Sequence, residues 1–443
     1  MVNAKQRRYA QRHGVPAGLA SVLFSWKKKL DVAQVGYGGR NLNLQMGTPF
    51  KVHSDDVDAL AAKGDTFVTM LRIANELYRD SFDGSFVWKL AEGGLTARAV
   101  AYQRRLYETR DVPLPTFFRA DMLSLDKAVE LNIPGGGLGL MEAISQVCPS
   151  ASRFGDGLAC SWAKGLKELT GKDHPRVYLP IHNNNVVGNV NYFVKMLGKY
   201  GIFVGTYRTT NALPSPKDVD VVFRFGLNRS VRMAGWDALF DAYLAGDVVI
   251  EPAPVSFYDS KISELLAFHP ATSYAFPNAV RDAFPQTWLA TADNEVTVGV
   301  NGNKRIVDVD ELASLSARER RFVLKYAGAD DALRCAGHAV YQLDGKRRGR
   351  HGAEDVLLSA LLDWDSKSNP WILQERLRAP FDVTYFDSKT RALVTESLRA
   401  RIMPCYRVLG DKVELIAGSA LFNKNWKVHG NPQSVFCPMI AYD

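Results

Sequence analysis

The sequence predicts a mixed α/β fold, with a largely helical N-terminal region and a small layer of parallel strands and helices. Three observations lead to this prediction. Apolar residues recur at helical spacing from Asp55 to Arg79. Strand-like runs then alternate with a helix in residues 173–250, which is typical of parallel sheets. The last third of the chain mixes several strand-like runs with one helix. With 443 residues, of which 47% are hydrophobic and 23% charged, the chain can form two or three compact units.

Residues 1–115 are predicted to be largely helical and to pack as a layer or cap. The helix from Asp55 to Arg79 is followed by a second one from Ala97 to Tyr107. The first 14 residues are basic and polar and lack the apolar core of a secretory signal. No apolar run reaches the roughly 18 residues needed to cross a membrane. The five cysteines show no C-x-x-C spacing, which argues against a zinc site or disulfide framework and for a reducing cytoplasm.

Two short polar pairs carry most of the functional information. Arg119 and Asp121 lie two residues apart in one strand-like run, and Glu130 and Asn132 lie two apart in the next, so each pair leaves one face of its strand. An antiparallel hairpin would place Asp121 opposite Glu130 and Arg119 opposite Asn132. Facing carboxylates repel unless a cation lies between them, and oxygen ligands beside an arginine suit Mg²⁺ and phosphate. The alternative is a solvent-facing strand pair with ordinary surface charges.

A glycine-rich segment, Gly135 to Gly137, follows this hairpin and precedes an apolar helix from Leu138 to Val147. Glycines between a strand and a helix allow close approach of the backbone to a ligand and expose N–H groups. They could also simply make a tight corner. We therefore assign residues 116–172 to a metal-binding hairpin and glycine loop.

The small α/β layer is assigned to residues 173–250. It begins with a buried type of strand at Arg176–Ile181, followed by a helix over residues 190–200. Further strands are predicted at residues 201–205 and 220–224. Arg224 at the end of the last strand is either a ligand contact or an ion-paired structural arginine.

Residues 251–443 form the remaining predicted unit. A proline-rich turn leads to Asp259 and Ser260, which are candidate N-caps of an apolar helix, and to Lys261. The elements predicted after it are strands at residues 321–325, 339–341 and 371–375 and a helix over residues 353–363.

The formal net charge of +8 fits an anionic ligand such as a nucleotide, a phosphate or a carboxylate. Nucleic acid is the other class of anion to consider, and the basic run over residues 346–351 could grip phosphates. No nucleic-acid motif surrounds this run, so a solvated surface loop is the favoured interpretation.

In this order, the segments from about residue 116 to residue 443 resemble the circularly permuted ATP-grasp ligases, most closely the synthetase domain of glutathionylspermidine synthase. The first shared motif is R-x-D followed by E-x-N, at Arg119 and Glu130. The others are D-x-K at residues 259–261, a strand lysine at residues 323–325, and the run W-I-L-Q-E-R-L at residues 371–377. Glycines after the strand lysine are more widely spaced than in such ligases.

The resemblance implies an ATP-grasp-like fold in permuted order, with residues 251–443 as the nucleotide-binding lobes. It also implies an ATP- and Mg²⁺-dependent carboxylate–amine ligase that forms an amide bond through an acyl phosphate. Arg119 would face the reacting carboxyl group of a small-molecule or peptide substrate. The metal ligands that it implies are Asp121, Glu130 and Asn132. The ATP-binding residues that it implies are Lys261, Lys325, Gln374, Glu375, Arg376 and Leu377.

Each assignment has a simpler alternative. Lys325 could be an exposed strand lysine, and Lys261 one of many lysines at a helix start. Gln374 and Glu375 could be an edge-strand pair in water. For the whole protein, the alternatives are an ATP-dependent phosphotransferase that shares the nucleotide site and a non-catalytic basic binding protein. The sequence indicates neither the substrates nor the oligomeric state.

Overall fold

The computed structural model covers most of the chain. The described ranges are 19–33, 45–133, 136–148, 156–300, 303–330, 333, 339–344, 352–377, 379–387, 389–390, 392–425 and 434–443. The predictions for the first 14 residues, for Gly135 and for the basic run at 346–351 lie outside these ranges.

The strands of the described residues are, in chain order, β1 (Gln45–Gly47), β2 (Phe50–His53), β3 (Phe117–Met122), β4 (Ala128–Asn132), β5 (Arg176–Ile181), β6 (Phe203–Arg208), β7 (Val221–Phe223), β8 (Val249–Glu251), β9 (Thr287–Leu289), β10 (Glu295–Val300), β11 (Asn303–Asp308), β12 (Phe322–Tyr326), β13 (Val340–Gln342), β14 (Trp371–Glu375), β15 (Pro380–Asp387), β16 (Ala392–Leu409), β17 (Lys412–Asn423) and β18 (Val435–Tyr442). The predicted strands at residues 176–181, 321–325, 339–341 and 371–375 are thereby confirmed to within one or two residues.

The α-helices of the described residues are α1 (Leu19–Ala33), α2 (Ser54–Arg79), α3 (Phe86–Ala91), α4 (Ala97–Thr109), α5 (Leu138–Val147), α6 (Leu158–Thr170), α7 (Val187–Gly198), α8 (Leu227–Ser230), α9 (Trp236–Ala245), α10 (Ile262–Leu266), α11 (Asn278–Asp282) and α12 (Ala353–Lys367). The two predicted N-terminal helices correspond to α2 and α4. Among the described residues, no helix is both long enough and apolar enough to cross a membrane.

The largest sheet joins three distant parts of the chain. Its strand order is β15-β1-β18-β17-β16-β3-β4, and β2 pairs with β18. The N-terminal region therefore contributes two short strands besides its helices. They pair in parallel with β18, and strands this short carry too few residues to show a period of two in the sequence. Pairing with a distant strand decides their conformation.

Strand β3 lies inside this sheet, between β16 and β4, and its two faces differ. Phe118 points to the face covered by α2, where its ring meets Phe67 at 6.3 Å and Tyr406 at 4.9 Å. Phe117 points to the opposite face, where its ring stacks on Trp162 at 4.0 Å. Because side chains alternate along a strand, Arg119 belongs to the same face as Phe117.

A separate sheet contains the parallel strands that the sequence predicts. Its order is β6-β5-β7-β8, and all three pairings are parallel. Helix α7 connects β5 to β6, as expected for a strand–helix–strand unit. The small α/β layer is confirmed as a piece of architecture, while the domain boundaries remain a prediction.

A further sheet is antiparallel, with the order β13-β12-β14-β9. It carries the predicted lysine strand β12 beside the predicted adenine strand β14. Leu324 pairs with Leu373 and Lys325 pairs with Ile372 in this ladder. Two of the four sequence motifs are thus neighbours in space although about fifty residues separate them.

The prediction that Asp259 or Ser260 is the N-cap of the helix after the proline-rich turn is wrong, because the N-cap is Lys261. The α10 helix begins at Ile262, and the hydroxyl of Ser260 accepts from its backbone N–H at 3.4 Å. Asp259 instead binds the guanidinium of Arg224 at 2.6 Å and the backbone N–H of Leu227 at 2.7 Å. A buried arginine is a stronger partner than one helix N–H. For Arg224, the structural alternative is therefore confirmed.

Removing one half of this pair should destabilise the fold strongly. The side chains of Arg224 and Asp259 are 1% and 2% exposed. We expect Asp259→Ala to lower the free energy of unfolding by about 3–5 kcal/mol, because it leaves a buried guanidinium without its counter-ion. Asp237→Ala is the matched control, since Asp237 forms an exposed ion pair with Arg98 that contributes at most about 1 kcal/mol. Urea unfolding of both variants measures the difference, and equal losses would contradict this account.

A second buried carboxyl makes stability depend on pH. Glu251 accepts hydrogen bonds from the backbone N–H of Thr116 at 2.8 Å and from its hydroxyl at 3.2 Å. Burial raises the pKa of Glu251 to about 7. A raised carboxyl pKa means that the folded state holds its proton longer, so stability falls as the pH rises from about 4.5 to about 7. We expect Glu251→Gln to remove this loss, by about 3 kcal/mol at pH 8. Unfolding curves of the wild type and the variant at pH 5 and pH 8 test this prediction. The same pH dependence in both proteins would contradict it.

Candidate active site

The predicted hairpin has the predicted register. Asp121 pairs with Glu130 and Arg119 pairs with Asn132. The turn between them is closed by a backbone hydrogen bond from Leu123 to Lys127, as the polar turn residues indicated. Arg119 is 6% exposed and Asp121 is 1% exposed. A solvent-facing strand pair is therefore excluded for β3, because its charged residues are covered.

Asp121 is the centre of a dense group of donors. It accepts from the guanidinium Nε of Arg119 at 2.9 Å and from the amide Nδ2 of Asn132 at 2.7 Å. Its Oδ2 also accepts from Nη2 of Arg401. Burying a carboxylate is costly unless it is paired and hydrogen-bonded, and three donors meet that requirement here.

The cation between the two facing carboxylates is Arg401. Its Nη2 binds Asp121 and lies 3.5 Å from Oε1 of Glu130. The ammonium of Lys261 lies 3.3 Å from Oε2 of the same glutamate. The facing carboxylates do have a cation between them, as the sequence indicates, but the chain itself supplies it. The available signal was Arg399-Ala-Arg401, two like charges on one face of a strand with buried neighbours.

Lys325 approaches the hairpin from the antiparallel sheet. Its ammonium donates to the backbone carbonyl of Val129 at 3.0 Å and to Oε1 of Gln374 at 2.6 Å. Gln374 in turn donates to the hydroxyl of Thr287 at 3.2 Å. Both Lys325 and Gln374 are buried, so neither is the exposed residue that the simpler alternatives required. The fold therefore places the two motifs on β12 and β14 next to the predicted metal-binding hairpin.

Glu264 completes the electrostatics of the cluster, and the sequence reasoning missed it. Burial raises the pKa of this carboxyl and lowers the pKa of the Lys325 ammonium, and the attraction between the two groups partly offsets both shifts. Oε2 of Glu264 has no hydrogen-bond partner in the described part of the chain. The available signal was a lone carboxylate in the apolar helix α10, three residues after Lys261.

The other residues of the adenine motif lie apart from this cluster. The side chain of Glu375 is exposed, and its backbone N–H donates to the carbonyl of Gln286 at 2.9 Å. Arg376 forms an ion pair with Asp344, which lies just beyond β13. Leu377 is half-buried. These three residues follow Gln374 at the end of β14 and just beyond it. They would extend the site in the direction of that strand.

The glycine segment meets the same group of charges. The guanidinium of Arg119 donates to the carbonyl of Gly136. Gly137 has a φ of 80° at the N-cap of α5, a left-handed conformation that suits glycine. The backbone N–H of Gly139 donates to Oδ1 of Asn189 at 3.0 Å, where a side chain at position 139 would meet the backbone of Asn189. The glycines therefore make a tight corner. This corner also places the start of α5 beside Arg119.

The donor set of the hairpin fits magnesium by its chemistry. Asp121, Glu130 and Asn132 offer the hard oxygen ligands that Mg²⁺ prefers. In this conformation the two carboxylates face protein cations, and Asn132 turns its amide nitrogen to Asp121. No group of three or more His, Cys, Asp or Glu residues in the described ranges forms a ready metal cage. A metal ion at this place would have to replace Arg401 between the carboxylates.

Comparison with known proteins identifies a related fold. No protein-family model matches this sequence, and no curated protein does. Among solved structures, a glutathione synthetase-like effector from Globodera pallida, in its apo form, is similar with a TM-score of 0.54. The two chains share 13% identity over 96% of this chain and 97% of the other. A likeness at that identity shows the fold and does not support the narrower resemblance to glutathionylspermidine synthase. The protein has a mixed α/β, glutathione synthetase-like fold.

Proposed function

We propose that this protein is an ATP- and Mg²⁺-dependent carboxylate–amine ligase. The observation that carries the proposal is one buried ionic cluster built from motifs that are far apart in the sequence. Arg119 and Asp121 on β3 and Glu130 on β4 meet Lys261 before α10 and Lys325 on β12. Such a convergence of charges is costly to bury and suits phosphate and metal chemistry.

Asp121, Glu130 and Asn132 would hold magnesium in this scheme. The metal neutralises negative charge on the phosphates when it is bound. Lys261, beside the carboxylate of Glu130, and Lys325, at the carbonyl of Val129, come from different elements and would bind the phosphates of ATP. The adenine would lie along the strand from Gln374 to Leu377.

Arg119 is assigned to the carboxylate substrate. Its guanidinium lies at the end of the hairpin that also contacts the glycine segment, through the carbonyl of Gly136. A guanidinium offers two parallel donors to a carboxylate and offsets charge that builds up during phosphoryl transfer. Because Asp121 holds Nε of Arg119, the side chain is oriented before any substrate arrives.

The reaction balances with ATP as the only energy source. A carboxylate oxygen attacks the γ-phosphorus of ATP, which gives an acyl phosphate and ADP. The nitrogen of an amine then attacks the acyl carbon, and phosphate leaves with that carboxylate oxygen. The amine loses one proton, and an amide bond replaces the carbon–oxygen bond. Positioning and charge neutralisation supply most of the catalysis in such transfers.

An ADP-release screen over amino acids, short peptides and polyamines tests the proposal, with mass spectrometry of the products. The ligase predicts equal amounts of ADP and a new amide. A stable phosphorylated product would instead indicate the phosphotransferase. Absence of ADP, together with oligonucleotide binding that weakens with salt and survives Asp121→Ala, would indicate the non-catalytic basic binding protein.

The narrower resemblance to glutathionylspermidine synthase rests on the four sequence motifs alone, and the structural neighbour is named for a different synthetase and as an effector. We keep the pair of substrates open for that reason. Cys160, Cys405 and Cys437 are free thiols. The cytoplasm stays the proposed location.

A further inference from the structure

We propose that Arg401 is the counter-ion of the ligand-free cluster, and that it keeps free divalent cations out from between Asp121 and Glu130. The divalent cation then enters only together with a phosphate-bearing ligand. This inference rests on the proposed function for the identity of that ligand. The exclusion of free metal ions does not depend on the proposed function.

The guanidinium of Arg401 lies between the two hairpin carboxylates. Nη2 of Arg401 contacts Oδ2 of Asp121 and lies 3.5 Å from Oε1 of Glu130. This is the place where a cation shared by the two hairpin carboxylates must lie. One position cannot hold both a guanidinium and a metal ion. Arg401 comes from β16, which pairs directly with β3, so the arginine is delivered by the sheet itself and not by a loop.

Basic side chains outnumber the carboxyl groups around the hairpin among the described residues. In the part of the chain that the structure describes, four basic side chains at the hairpin face three carboxyl groups. The basic side chains are Arg119, Arg401, Lys261 and Lys325, and the acidic ones are Asp121, Glu130 and Glu264. Such a group repels a bare divalent cation and attracts a polyanion. Phosphates would give the basic side chains new partners, which would release the carboxylates for metal.

Asp121 and Arg401 are both largely shielded from solvent. The side chain of Asp121 is 1% exposed and that of Arg401 is 11% exposed. A buried carboxylate needs a counter-charge in every state of the protein. Arg119 supplies part of it through Nε at 2.9 Å, which lets Arg401 leave without stranding Asp121. Arg401 is therefore an exchangeable partner, whereas Arg119 is a permanent one.

Titration with Mn²⁺ in the absence of nucleotide tests the inference, with the electron paramagnetic resonance signal of free Mn²⁺ as the readout. We expect wild-type protein to bind Mn²⁺ weakly. Arg401→Gln should bind it about tenfold or more tightly, which corresponds to about 1.4 kcal/mol. Arg401→Lys keeps the positive charge and should stay weak. Asp121→Asn in the Arg401→Gln background should abolish the new binding.

The matched control is Arg407→Gln, which makes the same substitution further along β16. Arg407 pairs with Glu414 and the carbonyl of Ser161, away from the hairpin carboxylates, so its loss should leave Mn²⁺ binding weak. Thermal unfolding of each variant confirms that it is folded. Tight binding of Mn²⁺ to the wild type, or weak binding to a folded Arg401→Gln variant, would overturn the inference. A failed ligase proposal shows itself differently, as the lack of an amide product with every substrate, whether or not ADP is released.

The second half of the proposal has its own readout. Addition of a non-hydrolysable ATP analogue should make the wild type bind Mn²⁺ at least as tightly as the Arg401→Gln variant does alone. If the analogue binds to the protein and Mn²⁺ binding stays as weak as for the same amount of analogue in buffer, linked entry of metal and nucleotide is wrong.

Discussion

We expect Glu130→Gln to reduce ATP-dependent turnover by about 10³-fold or more. The substitution keeps the shape of the side chain and removes the negative charge that faces Lys261 at 3.3 Å and Arg401 at 3.5 Å. In the proposed mechanism it also removes a ligand of the metal that neutralises the phosphates. Loss of about 4 kcal/mol of transition-state stabilisation gives this factor. The measurement is the rate of ADP release at saturating substrates.

Glu414→Gln is the matched control for this prediction. Glu414 pairs with Arg407 and Lys412 elsewhere on the large sheet, so its turnover should equal that of the wild type. Circular dichroism and thermal unfolding establish that both variants fold. Full ATP-dependent activity in a folded Glu130→Gln variant would show that the metal assignment is wrong. Arg119→Ala, in contrast, should leave nucleotide binding nearly intact and slow the formation of the acyl phosphate.

Lys325→Met should weaken nucleotide binding by about 10- to 100-fold. The ammonium of Lys325 on β12 donates to the backbone of β4 and to the side chain of Gln374. A hydrogen bond to a charged partner contributes about 1.5–3 kcal/mol, which corresponds to that range. Methionine keeps the apolar stem of the side chain, so packing changes little. Calorimetric titration with ADP and with the ATP analogue measures the change.

The control for this variant is Lys367→Met on α12. Lys367 is exposed and forms an i,i+4 pair with Asp363, so its replacement should leave affinity for nucleotide unchanged. Unchanged affinity in a folded Lys325→Met variant would remove Lys325 from the nucleotide site. It would then be a structural lysine that joins the antiparallel sheet to the hairpin.

Local patterns predicted much of the fold. The helix from Asp55 to Arg79, the strands β5, β12 and β14 and the hairpin register follow from the spacing of apolar and polar residues along one stretch of chain. The two N-terminal strands were not predictable in this way. They are three and four residues long, and they exist because β18 offers an edge about 390 residues later.

The candidate site, like the fold, was predictable where it depends on neighbouring residues and not where it depends on distant ones. The carboxylate pair and its need for a cation follow from alternation along β3 and β4. The identity of that cation does not, because Arg401 reaches Asp121 across 280 residues of sequence. Asp259 shows the opposite error. Its local sequence suits a helix cap, and a distant arginine, Arg224, binds it more strongly.

The transfer of oxygen from substrate to phosphate tests the central claim most directly. A carboxylate substrate found in the ADP-release screen is labelled with ¹⁸O in its carboxyl group, and the inorganic phosphate released is analysed by mass spectrometry. An acyl phosphate predicts one ¹⁸O atom in each phosphate that accompanies an amide. Phosphate without label, formed together with ADP, would show that the carboxylate is never phosphorylated and would contradict the proposed ligase.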